Sequence, residues 1–158
     1  MNGTTINTPA GTPFVEVIRE FAATPAQLFR VMSDRDLVAQ WLGPRELDAT
    51  VEEYDVRTGG KYRYIHRDDS GEYAFRGVFH TVEPDKLVIQ TFEWEGAPGQ
   101  VCIEKMTLEP TEKGVRLHQK SVFPSVEARD QSIEYGMESG INDSMDRLAE
   151  LVAKESGS

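Results

Sequence analysis

The sequence predicts an α+β domain in which one long C-terminal helix lies across a curved antiparallel sheet of about seven strands, with two short helices after the first strand. Two observations carry this. Between Ser125 and Lys154, Ile133, Met137, Ile141, Met145, Leu148 and Val152 recur at helical spacing. Glu127, Arg129, Asp130, Glu134, Glu138, Asp143 and Glu150 fall largely off that stripe, so one side of the helix faces water and the other needs an apolar partner. Everything between Gly60 and Phe123 reads as strands joined by turns, which supplies the partner. Gly140 and Ser144 interrupt the apolar face. A glycine inside a helix costs about 1 kcal/mol against alanine, so either something approaches the helix closely or space is left beneath it, with plain helix packing the equal alternative.

Composition narrows the function classes. A chain of 158 residues with 39% hydrophobic content builds a core without disulfide or metal staples. Its 27 acidic against 17 basic residues give a net charge of −10, which argues against nucleic acid or an anionic membrane surface as the main partner. Cys102 is the lone cysteine and has no internal partner, and no charged start followed by an apolar run marks a signal peptide. No apolar run approaches the ~20 residues needed to cross a bilayer. A cytoplasmic location without membrane insertion is the expectation. The oligomeric state stays open, a homodimer included.

Taken in order, residues 1–12 show no hydrophobic period and read as a disordered leader before a domain spanning 13–154. Phe14 to Phe21 alternates Val15 and Val17 with Glu16, as a half-buried strand does. Thr24-Pro25 starts a helix with a capping hydroxyl and a proline at its first position, and Ala26, Phe29, Val31 and Met32 form its inner face. A second short helix from Ser33 or Asp34 carries Leu37, Val38 and Trp41 and stops at Gly43-Pro44. Leu47 to Val56 is extended, and Thr58-Gly59-Gly60 turns the chain into Lys61 to Arg67. There Tyr62, Tyr64 and His66 alternate with Lys61, Arg63 and Ile65, so the aromatic set faces inward and the other set outward. Asp68-Asp69-Ser70-Gly71 is a hairpin turn. The next strand, Glu72 to Val82, carries Tyr73, Phe75, Gly77 and Phe79 on one face. Leu87 to Trp94, Val101 to Leu108 and Val115 to Phe123 complete the meander, and Pro124-Ser125 opens the long helix.

This order, with several local motifs, resembles the helix-grip fold of the START-like (SRPBCC) superfamily. Within it the chain is similar to the AHSA-type branch, named after activator of heat-shock-protein ATPase homologues. The motifs are the Pro25 to Phe29 helix start, Trp41-Leu42-Gly43-Pro44, the run from Asp55 to Tyr62, Gly77 followed by Val82 to Val88, and Gly140 followed by Met145-Asp146-Arg147-Leu148. They specify turns and packing, so they point to a fold before an activity. The family often has tryptophan directly after the helix glycine and leucine four residues later. Ile141 and Met145 stand there in this chain and should leave more room between helix and sheet.

The resemblance implies an apolar or aromatic small molecule, polyketide-like or lipid-like, held between helix and sheet, with cyclase, dehydratase or hydrolase activity in some members. The family name adds a third reading, a co-chaperone or stress-related interaction module. On the residues themselves, Tyr62, Tyr64, Tyr73, Phe75, Phe79 and Met106 facing Met137, Ile141 and Met145 make an adaptable apolar wall with phenol groups for orientation. Trp41 and Gln119 join this ligand-binding set, and an ordinary filled aromatic core is the bland alternative. Candidates for acid or base chemistry are Glu104, His66 and Tyr64. Strict alternation with Met106 and Leu108 carries Glu104 inward beside Gln119, where desolvation would make it a poised acid. A bulge that reverses the phase would leave Glu104 in water, and that is the reading slightly preferred here. His66 lies near a hairpin, where exposure is usual, while His80 and His118 fall in phase with outward basic residues. The histidines and the cysteine lack zinc spacing, and no serine sits in a nucleophile elbow. Thr58-Gly59-Gly60-Lys61 lacks the spacing of a phosphate loop, so neither metal nor other cofactor is called for.

Overall fold

A computed structural model describes residues 3–157. Eight strands form one antiparallel sheet: β1 (Thr5–Asn7), β2 (Phe14–Phe21), β3 (Asp48–Tyr54), β4 (Lys61–Asp68), β5 (Gly71–Glu83), β6 (Leu87–Trp94), β7 (Cys102–Thr111) and β8 (Gly114–Val122). Their spatial order is β1-β2-β8-β7-β6-β5-β4-β3, so β3 to β8 run as a consecutive meander and β2 returns to close on β8. Register shifts between Val51 and Glu53 in β3 and between Phe79 and Thr81 in β5 mark bulges, which bend the strands that carry them.

Helices α1 (Pro25–Ser33), α2 (Arg35–Val38), α3 (Val126–Glu134) and α4 (Met137–Gly157) complete the chain. Thr24 caps α1 reciprocally: its hydroxyl accepts from the Gln27 amide, and the Gln27 side chain accepts from the Thr24 amide. Asp34 caps α2 through its carboxylate, and Ser125 caps α3 by accepting from the Ala128 amide.

Several expectations are corrected. The leader holds β1, whose Thr5 pairs with Ile18 and whose Asn7 side chain donates to Glu16; a three-residue strand is too short to show a period. Met1 and Asn2 lie outside the described residues. The strand count is therefore eight. The single helix from Ser125 to Lys154 is two helices, because Gly136 takes φ +89° after the Tyr135 amide has closed α3 onto Gln131. The second element, α4, is still the longest helix, at 21 residues. Helix α2 ends at Val38, and Trp41 sits in the tight turns that follow, with its amide on the Val38 carbonyl. On α1, Ala26 is exposed while Leu28 is fully buried, so the inner face is centred one residue away from the expected one. Ile65, expected to face water with Lys61 and Arg63, is buried.

The core lies between the sheet and α1 plus α4. Leu148, Leu151 and Val152 of α4 pack with Leu28 and Val31 of α1 and with Val15, Val115 and Leu117 of the sheet. Leu148 is 0% exposed, so Leu148→Ala opens a void and is expected to cost about 2 to 5 kcal/mol in a urea titration. Arg129 is also buried: it donates to the Pro9 and Phe14 carbonyls and pairs with Asp130, which fastens α3 to the start of β2.

Candidate functional site

Towards the other end of α4 the core opens into a cavity of about 520 Å³. Each residue expected to face a ligand lies on its wall. From β4 come Tyr62 and Tyr64, from β5 Tyr73, Phe75 and Phe79, and from β7 and β8 Met106 and Gln119. Trp41 enters from the turn after α2, and Met137, Ile141 and Met145 form the helical wall. Glu104 and His66 face the same space.

Alternation along β4 places its rings in a ladder. Tyr62 stacks on Tyr64 at 6.0 Å and 15°, Tyr64 lies 5.1 Å from the His66 ring, and Phe75 packs 5.3 Å from Tyr64. Phe92, stacked on Phe75 at 5.3 Å, extends the ladder to β6. The Tyr62 hydroxyl donates to the Thr91 carbonyl at 2.6 Å, passing over Gly77, where a Cβ would stand 2.7 Å from the ring. Tyr54 ties β3 to α1 by donating to the Met32 carbonyl. The Tyr64 hydroxyl has no hydrogen-bond partner among the described residues, and it is not sealed from the open space.

Glu104 faces inward, which corrects the preferred expectation of a wet side chain. The registers of β7 with β6 and with β8 run unbroken through it, opposite Gln90 and Ser121, so no bulge reverses its phase. Its Oε2 accepts from the Ser121 hydroxyl at 3.0 Å and its Oε1 from the Gln90 amide at 3.3 Å. Burial pushes the carboxyl up to about 7, with the Ser121 hydrogen bond a smaller opposing effect. Glu104 lines the cavity and is half-buried as a residue. Gln119 does not lie directly beside it. Gln119 stands opposite Met106 and reaches Glu104 through Ser121, to which its amide donates at 3.3 Å. Gln90 and Ser121 were not among the expected site residues. Their signal was available: Gln90 is in phase with Val88 and Phe92, and Ser121 with Leu117 and Gln119.

His66 corrects the exposure expected near a hairpin, being only 5% exposed. The turn carrying Trp41 to Pro44 covers it, and α4 pins that turn. Ser144 accepts from the Gly43 amide at 2.6 Å, and Arg147 donates to the Gly43 and Gln40 carbonyls. Burial, and secondarily the Arg147 charge, holds the imidazole below its ordinary value and therefore neutral. His66 Nε2 and Trp41 Nε1 have no partner among the described residues, and both atoms are sealed by packing away from the open space. Gly43 sits at φ +90°, and a Cβ there would stand 2.1 Å from His66 Cε1. Gly43→Ala is therefore expected to cost roughly 2 to 4 kcal/mol, from left-handed strain plus overpacking, measured as a lowered urea midpoint.

Among the described residues no group of three or more His, Cys, Asp or Glu is placed to hold a metal ion, and no helix is long and apolar enough to cross a membrane. The sheet-and-helix grip around this cavity is matched by a family profile over residues 22–153, described as activator of Hsp90 ATPase homolog 1-like protein. The chain belongs to that family. All but the first two strands of this family member lie within the match. Solved structures agree with the activator of Hsp90 ATPase homolog 1-like assignment at the level of fold. A Rhodobacter sphaeroides protein is 24% identical with a TM-score of 0.86, covering 96% of this chain and 99% of its own. An Arthrobacter aurescens protein is 23% identical with a TM-score of 0.86, covering 95% and 91%. The Mycobacterium smegmatis protein Ms6760 is 21% identical with a TM-score of 0.85, covering 94% and 96%. No curated protein sequence matches the chain.

Proposed function

We propose that the protein binds a small apolar molecule, aromatic, polyketide-like or lipid-like, in the cavity between α4 and the sheet. The observation that supports this is the unfilled volume itself. Protein interiors are close-packed, so a space of this size between sheet and helix is not an ordinary packing defect. A space of about 520 Å³ retained under Ile141 and Met145 is within the range of ligand pockets and is walled by rings and thioethers that adapt to a guest. The buried free thiol of Cys102 fits a reducing compartment, and we place the protein in the cytoplasm.

Titration with N-phenylnaphthylamine, a neutral fluorophore, tests the reading: a saturable rise in emission at one probe per chain is expected. A linear, unsaturable signal would overturn it.

One observation favours a second reading, proton-transfer catalysis of cyclase or hydrolase type. Glu104 titrates at about 7 and lines the cavity with Tyr64, whose hydroxyl has no hydrogen-bond partner among the described residues and lies within electrostatic reach of Glu104. His66 is the poorer candidate, its Nε2 being sealed away from a substrate. Glu104→Gln distinguishes the two readings: an enzyme loses turnover while keeping the ligand, whereas a binder returns its ligand chemically unchanged with either chain.

A further inference from the structure

We propose that the molecule taken by this cavity is a lipophilic amine, seated with its ammonium group on the Glu104 carboxylate beside the Tyr62–Tyr64 stack and its hydrocarbon body beneath α4. The inference rests on the reading of the cavity as a binding site and narrows its chemistry.

Charge on the wall gives the first reason. Among the described residues Glu104 is the only carboxylate lining the cavity, and neither a lysine nor an arginine lines it. An anionic guest such as a fatty acid would bury its charge without a counter-ion and against a like charge, the costliest arrangement in a low-dielectric space. An ammonium group finds the opposite. The two oxygens of Glu104 accept one protein hydrogen bond each, whereas a carboxylate has about four acceptor sites, so capacity remains on the side that faces the cavity. Tyr64, a buried residue that lines the cavity and lies within electrostatic reach of Glu104, has a hydroxyl without a hydrogen-bond partner among the described residues and offers a further acceptor. The aromatic faces around Glu104 supply the second reason. Tyr62 and Tyr64 lie within electrostatic reach of Glu104 in a cavity also lined by Phe75 and Phe92, and an aromatic lining favours a desolvated cation over an anion. Across the whole chain the net charge of −10 also draws cations towards the protein.

A pH signature follows, and the groups around Glu104 keep it simple. Tyr62 and Tyr64 face it from β4, Cys102 lies on its own strand, and Gln90 and Ser121 face it from β6 and β8. Burial raises both phenols well above neutrality and the Cys102 thiol to about 12, so all three stay uncharged. The residues of α4 that line the cavity are Met137, Gly140, Ile141, Ser144 and Met145, none of which titrates. His66 also lines the cavity, and burial lowers its value so that it stays uncharged near neutrality, whereas Glu104 is raised into that range, so an ammonium guest selects the ionised form of Glu104.

Three probes of one shape test this by displacement of N-phenylnaphthylamine: naphthylethylamine, naphthylethanol and naphthylacetate. At pH 8 the amine is expected to bind at least tenfold more tightly than naphthylacetate. Its affinity should fall roughly tenfold between pH 8 and pH 6, the ratio of ionised Glu104 for a group titrating at about 7. In Glu104→Gln, verified as folded by thermal melting, both the preference and the pH dependence should vanish while naphthylethanol still binds. Naphthylacetate binding as tightly as the amine, or an amine preference that survives Glu104→Gln, overturns the proposal while leaving the cavity as the binding site if naphthylethanol binds. Failure of all three probes overturns both.

Discussion

Replacing Glu104 by glutamine is expected to stabilise the protein by about 3 kcal/mol at pH 8 and to change its stability little at pH 4. The carboxyl titrates at about 7 in the folded chain against an ordinary 4.5, so folding holds its proton more tightly. Wild-type stability therefore falls as pH rises from 4.5 through 7, the full penalty is present above 7, and none remains below 4.5, where both states are protonated. Glutamine removes the titration. The Ser121 hydroxyl can accept from the new amide nitrogen while the amide oxygen still receives the Gln90 donor, so the local hydrogen bonds survive. His66 acts in the opposite sense. Its depressed value means that the unfolded chain takes up a proton more readily, so stability falls on acidification below its ordinary 6.5. The two slopes overlap in the wild type, but His66 is common to both chains and cancels in their difference. Urea unfolding across this pH range reads that difference directly. A gain independent of pH would place Glu104 in water and contradict the buried geometry.

Ile141→Trp is expected to weaken N-phenylnaphthylamine binding by at least tenfold without unfolding the protein. Ile141 is half-buried at the cavity wall, one residue after Gly140, where an added Cβ would meet nothing closer than Pro44 at 3.7 Å. The indole therefore has room to turn into the space and occupy the volume that the probe needs. Filling a void also adds contacts, so thermal stability should hold or rise. Unchanged affinity in a folded variant would put the probe elsewhere.

How far the sequence carried the fold is clearest at particular elements. Long periodic segments with turn chemistry at both ends, such as Lys61 to Arg67 or Val115 to Phe123, were legible because alternation sustained over a strand is hard to satisfy any other way. The inward set on β4, β5 and β7 followed from the same phase. The strand Thr5–Asn7 was not legible because three residues hold no period, and its order comes from pairing with β2. The break at Gly136 was hidden by apolar residues that keep helical spacing on both sides of it. Its sign was the glycine itself, whereas Gly140, four residues on, continues the helix.

At the site, local reasoning failed wherever a distant segment decides. His66 is buried because Ser144 and Arg147 hold the Trp41 to Pro44 turn over it, contacts spanning about a hundred residues of chain. Which neighbour faces Glu104 depended on register: Ser121 rather than Gln119 stands opposite, a two-residue difference that alternation leaves free. Gln90 was overlooked although its phase was readable, because a lone amide between Val88 and Phe92 resembles ordinary strand polarity.

The central claim, that an apolar guest enters the cavity, has a direct rival on the molecule itself. Ile103, Val78 and Val122 form exposed apolar points on the outer face of the sheet, 57%, 49% and 38% exposed, with Ile103 and Val122 directly paired. Methyl-labelled protein saturated with N-phenylnaphthylamine separates the two sites by intermolecular nuclear Overhauser effects. Contacts from the naphthyl protons to the methyl groups of Met106, Ile141 and Met145 are expected, and contacts confined to Val78, Ile103 and Val122 would contradict binding in the cavity.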